Sequence, residues 1–463
     1  MIKDKKRSRS TRSTFKGGVL TLRRRAAGTS GEFGGCFKMD FKLFLVCAVV
    51  SLVNSEPHDP SSIEHRELTL SFTKKLLQHI QEDQITVPNP SIHLALRMSS
   101  QHNQGFENDY LLRLKTELHK DLESSLTKGK PITGQVALYI LALKASCYDI
   151  STVRLDKEQL IHLLKKQIEQ EKEHVAVTKR PLTNYYQYSL GILAQCVSNV
   201  RVSLHVRNKL IHAIEVGDLK HGKNEQSIDT LAMAGMALQC VKESGGGQDD
   251  ARLQQALNTI KDKLLASQRP DGHMGNEFST GLAVQALLAM GIKVSEYSDT
   301  MKALLTSARN GVYHNPMAIS QVLPALHQRS YLQLKSHDCT NEDNGLILET
   351  KKVLEPMEDN VEEVSLQVEV VSSEDSSSTY FLNIPKGSSI LEALKLLKLK
   401  NEYKFETEPS LWGPFLSVVN GVRARQSDRN YWHLSSDGIS LNQGIDDYKI
   451  QHSQMITIKK TNY

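Results

Sequence analysis

From about residue 60 to 335 apolar positions recur with a helical period, in two alternating styles. Four stretches are smooth and rich in small residues: "ITGQVALYILALKASC" (132–147), "NYYQYSLGILAQC" (184–196), "SIDTLAMAGMALQC" (227–240) and "STGLAVQALLAMG" (279–291). Each opens with polar residues. Between them lie amphipathic, charged stretches such as "DKEQLIHLLKKQIEQEKEH" (156–174) and "ARLQQALNTIKDKLLAS" (251–267), with Leu and Ile at i, i+3 and i+4. The cysteines that end the first three smooth stretches lie 49 and 44 residues apart, the mark of a helical-hairpin repeat. This alternation predicts an α/α barrel, with small helices inside and charged ones facing water. If the inner helices run in one direction, their N-termini share one mouth. Counting back from each cysteine puts Gln135, Asn184 and Asp229 at nearly one depth, and Ser279 opens the fourth stretch in the same way.

After Cys339 the pattern changes. Residues 340–365 are acidic and weakly periodic, which reads as a linker between a barrel domain (56–339) and a small domain (366–463). There the runs "VSLQVEVV" (364–371), "STYFLNI" (378–384), "FLSVVNGV" (415–422), "YWHLS" (431–435) and "MITIKK" (455–460) read as strands. One helix interrupts them at 388–400, opened by a capping box of Ser389 and Glu392, and Asp437-Gly438 marks a tight turn. The fold class expected is thus multidomain: an all-α barrel plus a small, β-rich α+β domain with a mixed sheet.

The net charge of +5 sits in the first 38 residues, which hold +9 and leave −4 for residues 56–463. The folded part is therefore not built for nucleic acid. From Met39, "MDFKLFLVCAVVSLVNSEP" has the apolar run and the Val53/Ser55 cleavage pattern of a signal peptide (39–55), too short for a membrane span. The basic leader 1–38 then reads as upstream of the true start, and the mature, secreted chain as beginning near Glu56. Without the leader and the signal peptide, which hold Cys36 and Cys47, four cysteines remain, Cys147, Cys196, Cys240 and Cys339, which allow two disulfides in three connectivities.

Catalytic signatures are absent: no GxSxG, Walker A, HExxH or GxGxxG. Asp249-Asp250 follows "SGGGQ" and reads as a solvated turn. An enzyme of the lyase or cyclase type on an α/α toroid is the alternative, but it needs paired carboxylates or a DxDD run at the mouth. A complement-like module needs a Cys-Gly-Glu-Gln run, also absent. The mouth instead offers amides, hydroxyls and one carboxylate, a set that hydrogen-bonds a neutral, amide-rich ligand better than it moves protons. Taken singly, Asp229 and Ser279 also read as helix N-caps and Trp432 as a core residue.

The ordered motifs "GQVALYILAL", "NYYQYSLGILAQC", "SIDTLAMAGMALQC", "GHMGNEFSTGLAVQAL", "NPMAISQVLPAL" and "YWHLSSDGISLNQGIDDY" resemble those of the vertebrate cobalamin transport proteins: transcobalamin, haptocorrin and intrinsic factor. The resemblance spans nearly all of residues 60–463. It implies an α6/α6 barrel and a β-rich domain holding one cobalamin between them, with no catalysis and no resident metal. Its contact positions fall on Gln135, Thr183, Tyr186, Gln187, Asp229, Thr230, Asn276, Ser279 and Gln321. On the second domain they fall on Trp432 and Leu434, with backbone from 416–419. The family pattern pairs Cys196 with Cys240 and Cys147 with Cys339. It also implies a secreted, monomeric carrier taken up through a cell-surface receptor. Where transcobalamin has a cobalt-ligating histidine before its "SVDT"-like motif, this chain has Gln226, as in haptocorrin and intrinsic factor, and the nearest imidazole is His221. The family's N-terminal cysteine is missing.

Overall fold

The computed structural model describes residues 63–82, 88–155, 157–221, 225–245, 250–348, 362–373, 376–400, 403–410, 413–425, 428 and 430–462. The leader, the signal segment, Glu56, Asp249 and residues 349–361 of the expected linker lie outside them, as does the His221 side chain.

Twelve helices among the described residues form two concentric rings. The outer ones are α1 (Ile63–Glu82), α3 (Gln104–Thr127), α5 (Leu160–Thr178), α7 (Leu204–Glu215), α9 (Ala251–Ala266) and α11 (Ser298–Arg309). The inner ones are α2 (Pro90–Arg97), α4 (Thr133–Ala145), α6 (Tyr185–Val197), α8 (Ile228–Glu243), α10 (Glu277–Ala289) and α12 (Pro316–Leu326). Each inner helix packs on the next and α12 packs on α2, so the ring closes at six. Helices α4 and α10 are buried on nearly every side, which is why their sequences show no polar stripe. Small residues permit the approach: a Cβ on Gly281 of α10 would stand 3.0 Å from the backbone of Gln321 and Val322 in α12. Two-residue ribbons precede α5 (β1, Arg154–Leu155, with β2, Glu158–Gln159) and α8 (β3, Lys220–His221, with β4, Glu225–Gln226).

At the C-terminal ends of the inner helices a 3-10 segment, Tyr331–Ser336, touches α4, α6, α8 and α10 and closes that end of the barrel. Disulfides reinforce it: Cys196 is joined to Cys240, and Cys147 to Cys339.

Two sequence readings need correction here. Residues 340–348 are not a free linker, because the buried Arg97 binds Glu342 at 2.5 Å, His102 N donates to Asp343 O at 2.7 Å, and Leu346 is buried in the helical core. Asp250 is not a solvated turn: it caps α9 through the amides of Arg252 and Leu253 and binds the buried Arg207.

The C-terminal domain has its own hydrophobic core. Its main sheet runs β11 (Ile439–Ser440), β10 (Asn430–Ser436), β12 (Gln454–Asn462), β5 (Glu363–Ser373), β6 (Ser376–Pro385), with β12 and β5 parallel and the other neighbours antiparallel. Helix α13 (Ile390–Leu399) starts at the Ser389/Glu392 capping box. Instead of one sheet there are two among the domain's described residues. "FLSVVNGV" belongs to a separate antiparallel sheet of β7 (Phe405–Ser410), β8 (Gly413–Val419) and β9 (Val422–Arg423). Strand β7 is hidden in the sequence because "FETEPS" carries two glutamates and a proline.

Candidate functional site

The N-terminal ends of the inner helices are capped mainly by asparagine. Asn184 accepts from Gln187 N at 2.8 Å, Asn276 from Phe278 N and Ser279 N at 2.9 and 2.8 Å, and Asn315 from Ala318 N at 2.7 Å. Each cap uses the amide oxygen, so the NH2 end remains a donor. Helix α8 is capped by Ser227, whose hydroxyl accepts from Thr230 N at 3.2 Å and from the Thr230 hydroxyl at 2.8 Å. The capping roles read for Asp229 and Ser279 therefore belong to Ser227 and Asn276. Asp229 and Ser279 sit inside the first turn, where the helix dipole favours a carboxylate.

Helix α4 lacks a side-chain cap of its own. A residue the sequence reading missed ties its start to the neighbouring helices through side chains. Glu171 of α5, fully buried, accepts from the hydroxyls of Thr133 (2.8 Å) and Thr183 (2.7 Å) and from Thr183 N (3.1 Å). Thr183 is thus held as part of the scaffold. Next to it Gly134 and Gln187 meet closely: a Cβ on Gly134 would lie 2.6 Å from Gln187 Oε1.

A cavity of about 300 Å³ opens at this mouth. Its helical wall includes Asp229, Asn276, Ser279, Asn315 and Gln321, and its other wall comes from the β-rich domain: Ser410, Pro414, Asn442, Gln443, Gly444 and Asp447. Four residues named from the sequence are therefore brought together: Asp229, Asn276, Ser279 and Gln321. Gln135, Thr183, Gln187 and Thr230 stand at the starts of their helices but do not line this cavity, and neither does Tyr186. Burial pushes the Tyr186 phenol well above its ordinary value, with Tyr331 and Asp229 adding to the effect. Tyr331, on the 3-10 segment, is likewise raised by burial, to about 12. Deeper in, Gln285 donates to Gln321 O at 3.4 Å, and its side chain also hydrogen-bonds the Tyr331 phenol.

The second-domain expectations fare differently. Trp432 and Leu434, 5% and 9% exposed, belong to the core of the β-rich domain because alternate residues of β10 face inward, and neither lines the cavity. Residues 416–419 are buried too, and β8 reaches the cavity through Pro414. Asn442, Gln443 and Asp447 sit on an irregular turn whose role has no periodic signal.

Comparison with known proteins decides the family. Residues 42–360 match the family model of the eukaryotic cobalamin-binding proteins. This chain belongs to that family. Residues 387–462 match a second model, described as a domain of unknown function. Bovine (Bos taurus) transcobalamin-2 is 35% identical over 387 residues, covering 80% of this chain and 88% of the relative. Human (Homo sapiens) transcobalamin-1 is 30% identical over 348 residues, covering 72% and 79%. A crystal structure of haptocorrin in complex with Cbi aligns with a TM-score of 0.68 at 26% identity, covering 87% of this chain and 98% of that one. The protein is a cobalamin-binding transport protein of the transcobalamin family, a family of non-enzymatic carriers. Among the described residues no helix is long and apolar enough to cross a membrane.

Proposed function

We propose that this chain holds one cobalamin across the cleft between the mouth of the barrel and the β-rich domain. The observation that carries the reading is the convergence of Asp229, Asn276, Ser279 and Gln321 on one cavity whose far wall is the second domain. The chemistry suits the ligand. A carboxylate accepts from carboxamide NH2 groups, and the Asn and Gln amides both donate and accept. A cavity of about 300 Å³ is at the lower limit even for a drug-sized ligand, so the domains separate to admit a corrinoid and close over it. Gln135, Tyr186 and Gln187 then border the widened mouth, and the Trp432 indole N–H, buried without a partner, offers a donor on the β side. The signal-like segment at 39–55 and the two disulfides support secretion with a mature start near Glu56. On this reading the chain carries the vitamin as a monomer to a cell-surface receptor.

The test is direct. Secreted protein exposed to cobalamin and dialysed should be red and retain about one equivalent. Asp229→Ala together with Gln321→Ala should speed ligand loss by at least tenfold with the melting temperature unchanged. A colourless dialysed protein would overturn the proposal.

A further inference from the structure

The β-rich wall of the cavity contains one ionisable side chain, Asp447, and the helical wall contains one, Asp229. Asp447 is held firmly. Its backbone N–H donates to Gly444 O at 3.2 Å and that of Tyr448 to the same oxygen at 3.1 Å, which makes a tight turn. The turn is stapled to the start of α13 on both sides: Leu391 N donates to Ile445 O at 2.7 Å, and Gly387 N and Ile450 N bond Ile450 O and Ser388 O at 2.7 and 2.9 Å. Ile445 and Ile450 anchor it in the domain core. Among the described residues no salt bridge involves Asp447. An ionised carboxylate only accepts hydrogen bonds, and beyond the Gly444 backbone a partly buried one that shares a cavity with a second carboxylate gains from donors that enter between them.

We propose that Asp447 is a ligand-holding residue whose ionised carboxylate accepts amide N–H groups of the corrinoid opposite Asp229, and that it makes ligand retention depend on pH. This inference rests on the cleft being the cobalamin site. The charged groups acting on Asp447 are Asp446 beside it, Lys449 two residues on and His314 in the loop before α12, with Asp229 on the opposing wall. Burial, reinforced by Asp446, pushes its carboxyl up to about 6, against the opposing pull of the Gly444 backbone, Lys449 and His314. Amide donors from the ligand stabilise only the charged form and so lower this value in the complex. The sign follows: affinity is complete above about pH 6, the value of the ligand-free site, and declines below it, and the complex itself loosens as pH falls toward the lower value of the bound carboxyl, with a proton taken up on release.

The experiment measures cobalamin dissociation from the full-length protein between pH 7.5 and 5. Wild-type dissociation should quicken severalfold across that range. Asp447→Asn keeps an amide oxygen as acceptor and removes the titration, so its rate should stay flat; Asp447→Ala should release ligand about tenfold faster at pH 7.5. Asp446→Asn should move the midpoint to lower pH. Melting temperatures monitor folding, and the near-isosteric Asp447→Asn decides if the alanine variant misfolds. Wild-type pH dependence retained in Asp447→Asn overturns this inference while leaving the cleft reading intact. Failure of the wild type to bind cobalamin at all overturns both.

Discussion

Gln226 uses both ends of its amide within the protein. Its Nε2 donates to Leu219 O and its Oε1 accepts from Lys263 Nζ at 3.0 Å, so it is turned toward the outer helix α9. An amide is in any case a far poorer cobalt ligand than an imidazole. Aquocobalamin bound to this chain is therefore expected to keep its exchangeable water. Absorbance checks this: a slow change to an imidazole-ligated spectrum, abolished by His221→Ala, would show the opposite. Residues 227 and 229 separate stability from binding just as sharply. Ser227→Ala removes the cap of α8 and should cost about 1 kcal/mol in denaturant unfolding. Asp229→Asn leaves that cap whole and should loosen the ligand alone.

At the scale of elements, the inner ring depends on close approach and on shared acceptors. Gly281→Ala places a methyl group against backbone that has no rotamer to yield, and should destabilise the barrel by about 1–3 kcal/mol, seen as a lower melting temperature. Glu171 ties the starts of α4 and α6 to α5 through three hydrogen bonds. Glu171→Ala leaves the Thr133 and Thr183 hydroxyls without their acceptor and should cost a similar amount, about 1–3 kcal/mol. Because those two helices carry Gln135, Tyr186 and Gln187, the same variant should also weaken cobalamin binding.

For the whole molecule, each domain has its own hydrophobic core, and Lys130 of the barrel pairs with Glu408 of the β-rich domain at 2.8 Å. An exposed pair of this kind contributes only about 0.2–1 kcal/mol. A barrel fragment ending at residue 348 should fold yet bind cobalamin far more weakly than the intact chain. One ending at Cys339 should be less stable by about 3 kcal/mol, since Arg97 loses Glu342 from a buried pair. Chemical unfolding and ligand titration of the two fragments give both comparisons.

What the sequence determined by itself was whatever is written in local period and spacing. The alternation of smooth and charged helices, the capping box at Ser389 and Glu392, the Asp437-Gly438 turn and the polar starts at Asn184, Asp229, Asn276 and Ser279 all arise from interactions between near neighbours in the chain. Closure of the ring at six, the short buried helix α2, the second sheet and the adhesion of residues 340–348 to the barrel were settled by packing between distant segments. The same holds for the site. Periodicity pointed to Asp229 and Ser279, because a helix start has a signature, and the family resemblance pointed to Asn276 and Gln321, whereas Glu171 looked like one more charge on an outer helix. Trp432 and Leu434 read as contacts in one dimension, and the inward pleat of β10 adds what the sequence could not show, that both also pack in the core of their domain. The wall facing Asp229 is instead the turn carrying Asp447, and only the tertiary fold could bring residues more than two hundred positions apart to the same cavity.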